Sequence, residues 1–202
     1  MRPTLYEYAG GEPAFLALAT AHHARCLRDP ELNHPFSHPG GHPQHVQRLA
    51  AYWAEVLGGP PAFSQSCGDH SAVLHLHAGN GDMGDLGRRF VACFVEAMDD
   101  AGLPSGEEFR AALRTYMQWA VDETLLYGSP DVAVPAGLAL PLWSWDGLVP
   151  DSAREDVVGV DDRVGVALLG QEPLPVGGVL LVDGVAADDG VEVRAASVGL
   201  GP

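Results

Sequence analysis

Apolar side chains recur at three- and four-residue intervals along four stretches of the chain, the spacing that gathers them on one face of an α-helix. The first stretch runs from Ala14 to Arg28, with Phe15, Leu16, Leu18, Ala19 and Leu27 as its apolar positions. Asp29-Pro30 ends it, because proline disfavours helical geometry at the residue before it. The second begins at Pro43, whose missing N–H costs nothing at a first helical position, and carries Val46, Leu49, Ala50, Trp53, Val56 and Leu57 up to Gly58-Gly59-Pro60. A third helix is expected from Leu86 to Ala101, with Phe90, Phe94, Ala97 and Met98 on one side. The fourth opens on Ser105, paired with Glu108 as a capping box, and continues through Leu113, Tyr116, Met117 and Trp119 to about Tyr127. No convincing strand interrupts this all-α body.

Beyond it the pattern changes. Residues 129–150 carry several prolines and the pair Trp143 and Trp145, and are expected to form an irregular strap packed on the helices. Residues 151–202 contain no Phe, Trp, Tyr, His or Cys, too little to build a core of their own, so the expectation is a weakly ordered, acidic Val/Gly-rich tail, dispensable for any site in the body. The domain division is therefore 1–128, 129–150 and 151–202.

Charge narrows the choice of partners. Acidic residues number 27 against 11 basic ones, all Arg, for a net charge of −16. Such a surface repels nucleic acid and anionic membranes. The three cysteines, Cys26, Cys67 and Cys93, form no CxxC pair and read as packed or idle thiols in a reducing compartment. With no apolar leader and no span of about 18 apolar residues, a cytoplasmic protein, monomer or homodimer, is expected.

Histidine supplies the candidate chemistry, since all nine lie between positions 22 and 77. His45 and Leu49 are four residues apart and share a helix face. Phe36 lies between the first two helices, and His77 closes Leu74-His75-Leu76-His77. That combination suits a flat apolar cofactor with one polar atom at its centre, and haem needs an apolar slot with a neutral imidazole on one side of its iron.

The sequence resembles the group II truncated haemoglobins over roughly residues 4–128. The resemblance rests on Asp29-Pro30-Glu31-Leu32, Phe36, Arg48-Leu49, Gly58-Gly59-Pro60, Phe63-Ser64, His77 and Phe90. It implies a two-over-two helical sandwich around haem b, with His77 as the proximal iron ligand. Phe36, Leu49, Phe63 and Phe90 match residues that line the haem, and Arg48 matches a basic residue that pairs with a haem propionate. His45 falls at the distal helix position, and His23 stands where the family has a distal Tyr, which assigns both to the catalytic or ligand-holding side. Phe90 replaces a usual Trp and Leu76 a usual Arg, so the family's distal donors are absent. Small insertions around Gly40-Gly41 and Gly68-Asp69 leave His42 and His45 both near the distal position, and Arg48-Leu49 selects His45.

The function implied is reversible binding of oxygen or another diatomic gas. Nitric oxide oxidation and peroxide turnover are further expectations, each needing an external electron donor because no flavin or nicotinamide segment is present. Imidazoles with ordinary pKa values near 6.5 would make ligand release vary between about pH 5 and 8, and His45 as a second iron ligand is a competing arrangement. Two other readings remain open at this point. One is a non-haem metal enzyme using His22-His23 or His75-Leu76-His77, and the other is a cofactor-free helical interaction module. His34, His38, His42 and His70 read as loop residues, and one of His22 and His23 is expected to be exposed.

Overall fold

A computed structural model of the chain describes residues 2–37, 42–81 and 83–153. Among the described residues the helices are α1 (Leu5–Ala9), α2 (Glu12–Cys26), α3 (Asn33–Phe36), α4 (His45–Val56), α5 (Ala62–Ser66), α6 (His70–His77), α7 (Leu86–Asp100) and α8 (Glu107–Leu125). The long α2 packs on both α4 and α7, and α7 packs on α8, so two pairs of helices form a two-over-two sandwich. Phe15, Leu18, Phe94, Met98, Leu113 and Met117 are fully buried where the layers meet. None of the described helices is long and apolar enough to cross a membrane.

Local chemistry sets the helix ends, and in three places it moves them from where periodicity puts them. Pro43 lies outside α4, because the chain enters through a turn in which the Gln44 N–H donates to Nδ1 of His42 (3.0 Å), and the helix begins at His45. Ser105 and Glu108 form no capping box: α8 starts from Gly106, with no side-chain cap, and the Glu108 carboxylate pairs with Arg2 at 2.8 Å. Helix α2 ends at Cys26, and the turn that follows is organised by the Asp29 carboxylate, which accepts the N–H groups of Glu31 and Leu32.

The capping box that does form is at Thr4-Leu5-Tyr6-Glu7, which carries the same pattern as Ser105 to Glu108. Thr4 accepts from the Glu7 N–H and Glu7 from the Thr4 N–H, starting the short α1. This helix docks on the end of α4 through the Tyr6 N–H and the Leu57 carbonyl (2.9 Å). The approach explains Gly58-Gly59: Gly58 has φ +93°, and a Cβ on Gly59 would meet the Ala54 carbonyl at 2.7 Å and the Tyr6 ring at 2.8 Å.

Residues 129–150 cross the helices with Leu140, Trp143 and Val149 buried. A two-residue hairpin pairs β1 (Trp143–Ser144) with β2 (Gly147–Leu148) and turns the Trp143 ring onto Tyr116 (centroids 5.7 Å apart) and Trp119 (5.3 Å). The strap also grips α6. Ser71 Oγ donates to the Pro135 carbonyl (2.7 Å) and accepts from the Leu138 N–H (2.9 Å), while the His70 N–H donates to the Leu138 carbonyl (3.0 Å). The weakly ordered tail expected over 151–202 lies, from residue 154 onward, outside the described residues.

Candidate functional site

His77 is the last residue of α6, where a helix only eight residues long leaves its side chain over the body of the molecule. Its Nδ1–H donates to the Val73 carbonyl one turn earlier, at 2.7 Å. Its Nε2 is buried without a partner. Burial lowers the pKa of this imidazole to about 4, the hydrogen bond to Val73 opposing the shift, so the ring is neutral with a free lone pair on Nε2. His75, two residues away, is exposed.

His77 lines an apolar cleft made of two lobes that share His77, Phe90, Val121 and Thr124. The lobe on the α3 side adds Leu32, Phe36, Met83 and Leu86. The lobe on the α4 side adds Leu49, Tyr52, Trp53, Val73 and Met117. A further recess is polar and its lining includes His23, His42, His45 and Phe36, so Phe36 is the wall it shares with the α3-side lobe.

Helices α2 and α4 present His23 and His45 to each other with ring centroids 5.2 Å apart, and Phe36 stands within 6.1 Å of both. Both ring nitrogens of His45 and Nδ1 of His23 are buried without partners. Burial, followed by repulsion from His23 and His42, lowers the pKa of His45 to about 4, and burial lowers that of His23. The ordinary imidazole value assumed from sequence therefore does not hold at His45, because a ring with no donor or acceptor beside it loses more from desolvation than a bare sequence can reveal.

The other sequence-derived residues divide. Phe90 and Phe36 stack across the cleft (6.1 Å) and Leu49 lines the α4-side lobe. Phe63 lines neither lobe; it is buried on the far side of Tyr52, edge-on at 5.1 Å. Arg48 is buried and its guanidinium donates to the Cys67 carbonyl at 3.4 Å, with Nε left unpartnered.

Several residues at the site escaped sequence reasoning. Neither member of the His22-His23 pair is exposed: His22 is fully buried, its Nε2–H directed at the Phe90 carbonyl (3.4 Å) and its ring edge-on to Phe90 at 4.4 Å. His70, read as a loop residue, is the buried first residue of α6, held between the Tyr52 hydroxyl (3.1 Å) and the Glu123 carboxylate (3.0 Å). Val121 and Thr124 of α8 complete the cleft, and nothing but their place on the apolar face of that helix points to them. Among the described residues no group of three His, Cys, Asp or Glu side chains could hold a metal ion.

The profile of the bacterial-like globins matches residues 4–124. A search of curated proteins finds no match. Among solved structures, the haemoglobin of the thermophilic phototroph Chloroflexus aurantiacus is 25% identical, covering 61% of this chain and 98% of its own, with a TM-score of 0.51. The thermostable haemoglobin of the actinobacterium Thermobifida fusca is 24% identical over 64% of this chain and 100% of its own (TM-score 0.52). The group II truncated haemoglobin of Bacillus anthracis shares the fold at 19% identity, over 61% of this chain and 92% of its own (TM-score 0.53).

Proposed function

The chain belongs to the bacterial-like globin family, and from that premise we propose that it is a haem b protein held through His77 that binds oxygen or a related diatomic gas. One observation carries this reading: a neutral imidazole whose Nδ1–H is fixed by a backbone carbonyl, with its Nε2 buried and unpartnered in an apolar cleft. Histidines that ligate iron almost always donate their other ring N–H in this way, which fixes the tautomer and aims the lone pair. Phe36, Leu49, Phe90 and Val121 would flank the macrocycle, supplying apolar surface and excluding water. When bound, haem would supply an iron centre able to take up a diatomic gas.

The chain's own residues then decide how long the gas stays. His45, with both nitrogens free, is the leading distal donor and His23 the secondary one. The carboxylate partner of Arg48 would be a haem propionate, its unpartnered Nε being the supporting observation. Turnover of nitric oxide or peroxide, with electrons from an external donor, would use His45 as the acid–base group.

The decisive measurement is the absorbance of the protein reconstituted with hemin. One equivalent of haem giving an intense band near 400 nm is expected for a His-ligated site; a colourless protein after reconstitution overturns the reading. In the loaded protein, His45→Leu is expected to speed oxygen dissociation about tenfold, the equivalent of one hydrogen bond of ~1.4 kcal/mol, with a smaller effect from His23→Phe. Because His45 titrates at about 4, the parent rate should be flat from pH 6 to 8 and change only below pH 5. Stopped-flow measurements giving equal rates in all variants would remove both residues from the distal role.

A further inference from the structure

Tyr52, His70 and Glu123 form a continuous hydrogen-bonded row that gas binding does not require. Tyr52 is buried and lines the α4-side lobe together with His77. Its hydroxyl lies 3.1 Å from Nδ1 of His70, whose Nε2 lies 3.0 Å from the Glu123 carboxylate. Since a carboxylate only accepts, Nε2 carries the hydrogen and Nδ1 accepts from the phenol. Three elements bring the row together: α4 supplies Tyr52, the start of α6 supplies His70, and α8 supplies Glu123. Glu123 is partly exposed, its side chain 22% accessible, and it lines the same lobe as Tyr52 and His70, so the row follows the wall of the cleft.

We propose that Tyr52 is a redox-active phenol that returns an electron to the haem group after peroxide has oxidised it, its proton passing to His70. The proposal rests on the haem reading above. Hydrogen peroxide takes two electrons from the haem-loaded protein and, with two protons, leaves as two molecules of water. Tyr52 gives one electron back; its O–H bond breaks, the proton goes to Nδ1 of His70, and the Nε2 proton shifts to Glu123. The product is a neutral phenoxyl radical. A small phenolic or ascorbate-like donor returns that electron to the phenoxyl, and the proton travels back along the row. A second cycle through Tyr52, at the expense of a second donor molecule, returns the other electron, and the two donors release the two protons taken up in the water.

The geometry selects Tyr52 over its neighbour. An oxidised phenol in apolar surroundings is a buried cation unless it loses its proton in the same step, and an unpaired buried charge is costly. Tyr116 lines the same lobe, but its hydroxyl is buried without a partner, so no base stands ready to take its proton. Burial and the nearby carboxylates Glu123 and Glu55 raise the Tyr52 phenol far above its ordinary range, so it keeps its proton until an electron is removed.

The test uses the full chain loaded with haem, with the content of every variant measured first by absorbance. After mixing with hydrogen peroxide and rapid freezing, electron paramagnetic resonance should show a tyrosyl radical in the parent. Tyr52→Phe, which removes only the hydroxyl, should lower its yield at least tenfold, and Tyr116→Phe should leave it unchanged. His70→Gln, lacking the ring base, should also lower the yield, and it keeps the question answerable if Tyr52→Phe does not fold. A loaded parent without a radical, a radical that survives Tyr52→Phe, or one that vanishes with Tyr116→Phe each overturns the proposal. A parent that takes up no haem fails at the earlier step and overturns the haem reading itself.

Discussion

The His77→Ala variant is expected to lose at least nine-tenths of the haem absorbance of the parent, while His75→Ala keeps it. The two residues lie on one short helix and differ in where they face. His75 is exposed, whereas Nε2 of His77 is buried and unpartnered and the residue lines both lobes of the cleft. Deleting the imidazole removes the protein's bond to iron and leaves apolar contact alone to hold the macrocycle. A smaller variant, His77→Gly, should regain the band on addition of free imidazole, which separates loss of a ligand from loss of the fold. Equal spectra for parent and His77→Ala, or a colourless His75→Ala, would move the proximal ligand elsewhere.

Below neutral pH the haem-free protein is expected to lose stability steeply. Burial lowers His22 to about 3, opposed by its bond to the Phe90 carbonyl, and lowers His45 to about 4. Both titrate near 6.5 in the unfolded chain. The unfolded state therefore binds more protons than the folded one as soon as the pH drops through 6.5, and the folded state loses free energy until the native pKa values are reached. At one pKa unit per ~1.4 kcal/mol, each ring contributes a loss of about 3 kcal/mol between pH 6.5 and 4, together a large fraction of an ordinary domain's stability. Denaturant titrations at pH 7, 5.5 and 4.5 check this, and since His77 is lowered to about 4 as well, His22→Phe should flatten the dependence by roughly a third. A midpoint that does not move between pH 7 and 4.5 would show that these rings reach water in the folded protein.

The four long helices were legible in the sequence because each buries a broad apolar face, as Phe90, Phe94, Ala97 and Met98 do on α7. Their ends were less so, since a cap is decided by one or two hydrogen bonds that compete locally: Gly106 rather than Ser105 precedes α8, and Gln44 bonded to His42 precedes α4. The truncated globin fold was accessible through the register of Gly58-Gly59-Pro60 and His77, which the family match supports as to fold and leaves open as to the role of each residue. His70 and Glu123 were invisible for a different reason. They are 53 positions apart, and only the crossing of α6 with α8 makes them neighbours. The buried state of His22 was hidden too, because adjacent residues on a helix point about 100° apart and periodicity alone does not say which of them meets Phe90.

The grip of residues 129–150 on α6 reaches beyond stability. The family match ends at residue 124, yet Ser71 and His70, at the start of the helix that carries His77, are tied to Pro135 and Leu138. An eight-residue helix is about 12 Å long and moves nearly as a rod, so a change at its moored end is transmitted to the imidazole at the other. Substitutions in a segment that never touches the cleft thereby gain leverage over it, and selection could retune the site by drift in the strap while every residue of the ancestral globin body stayed as it was.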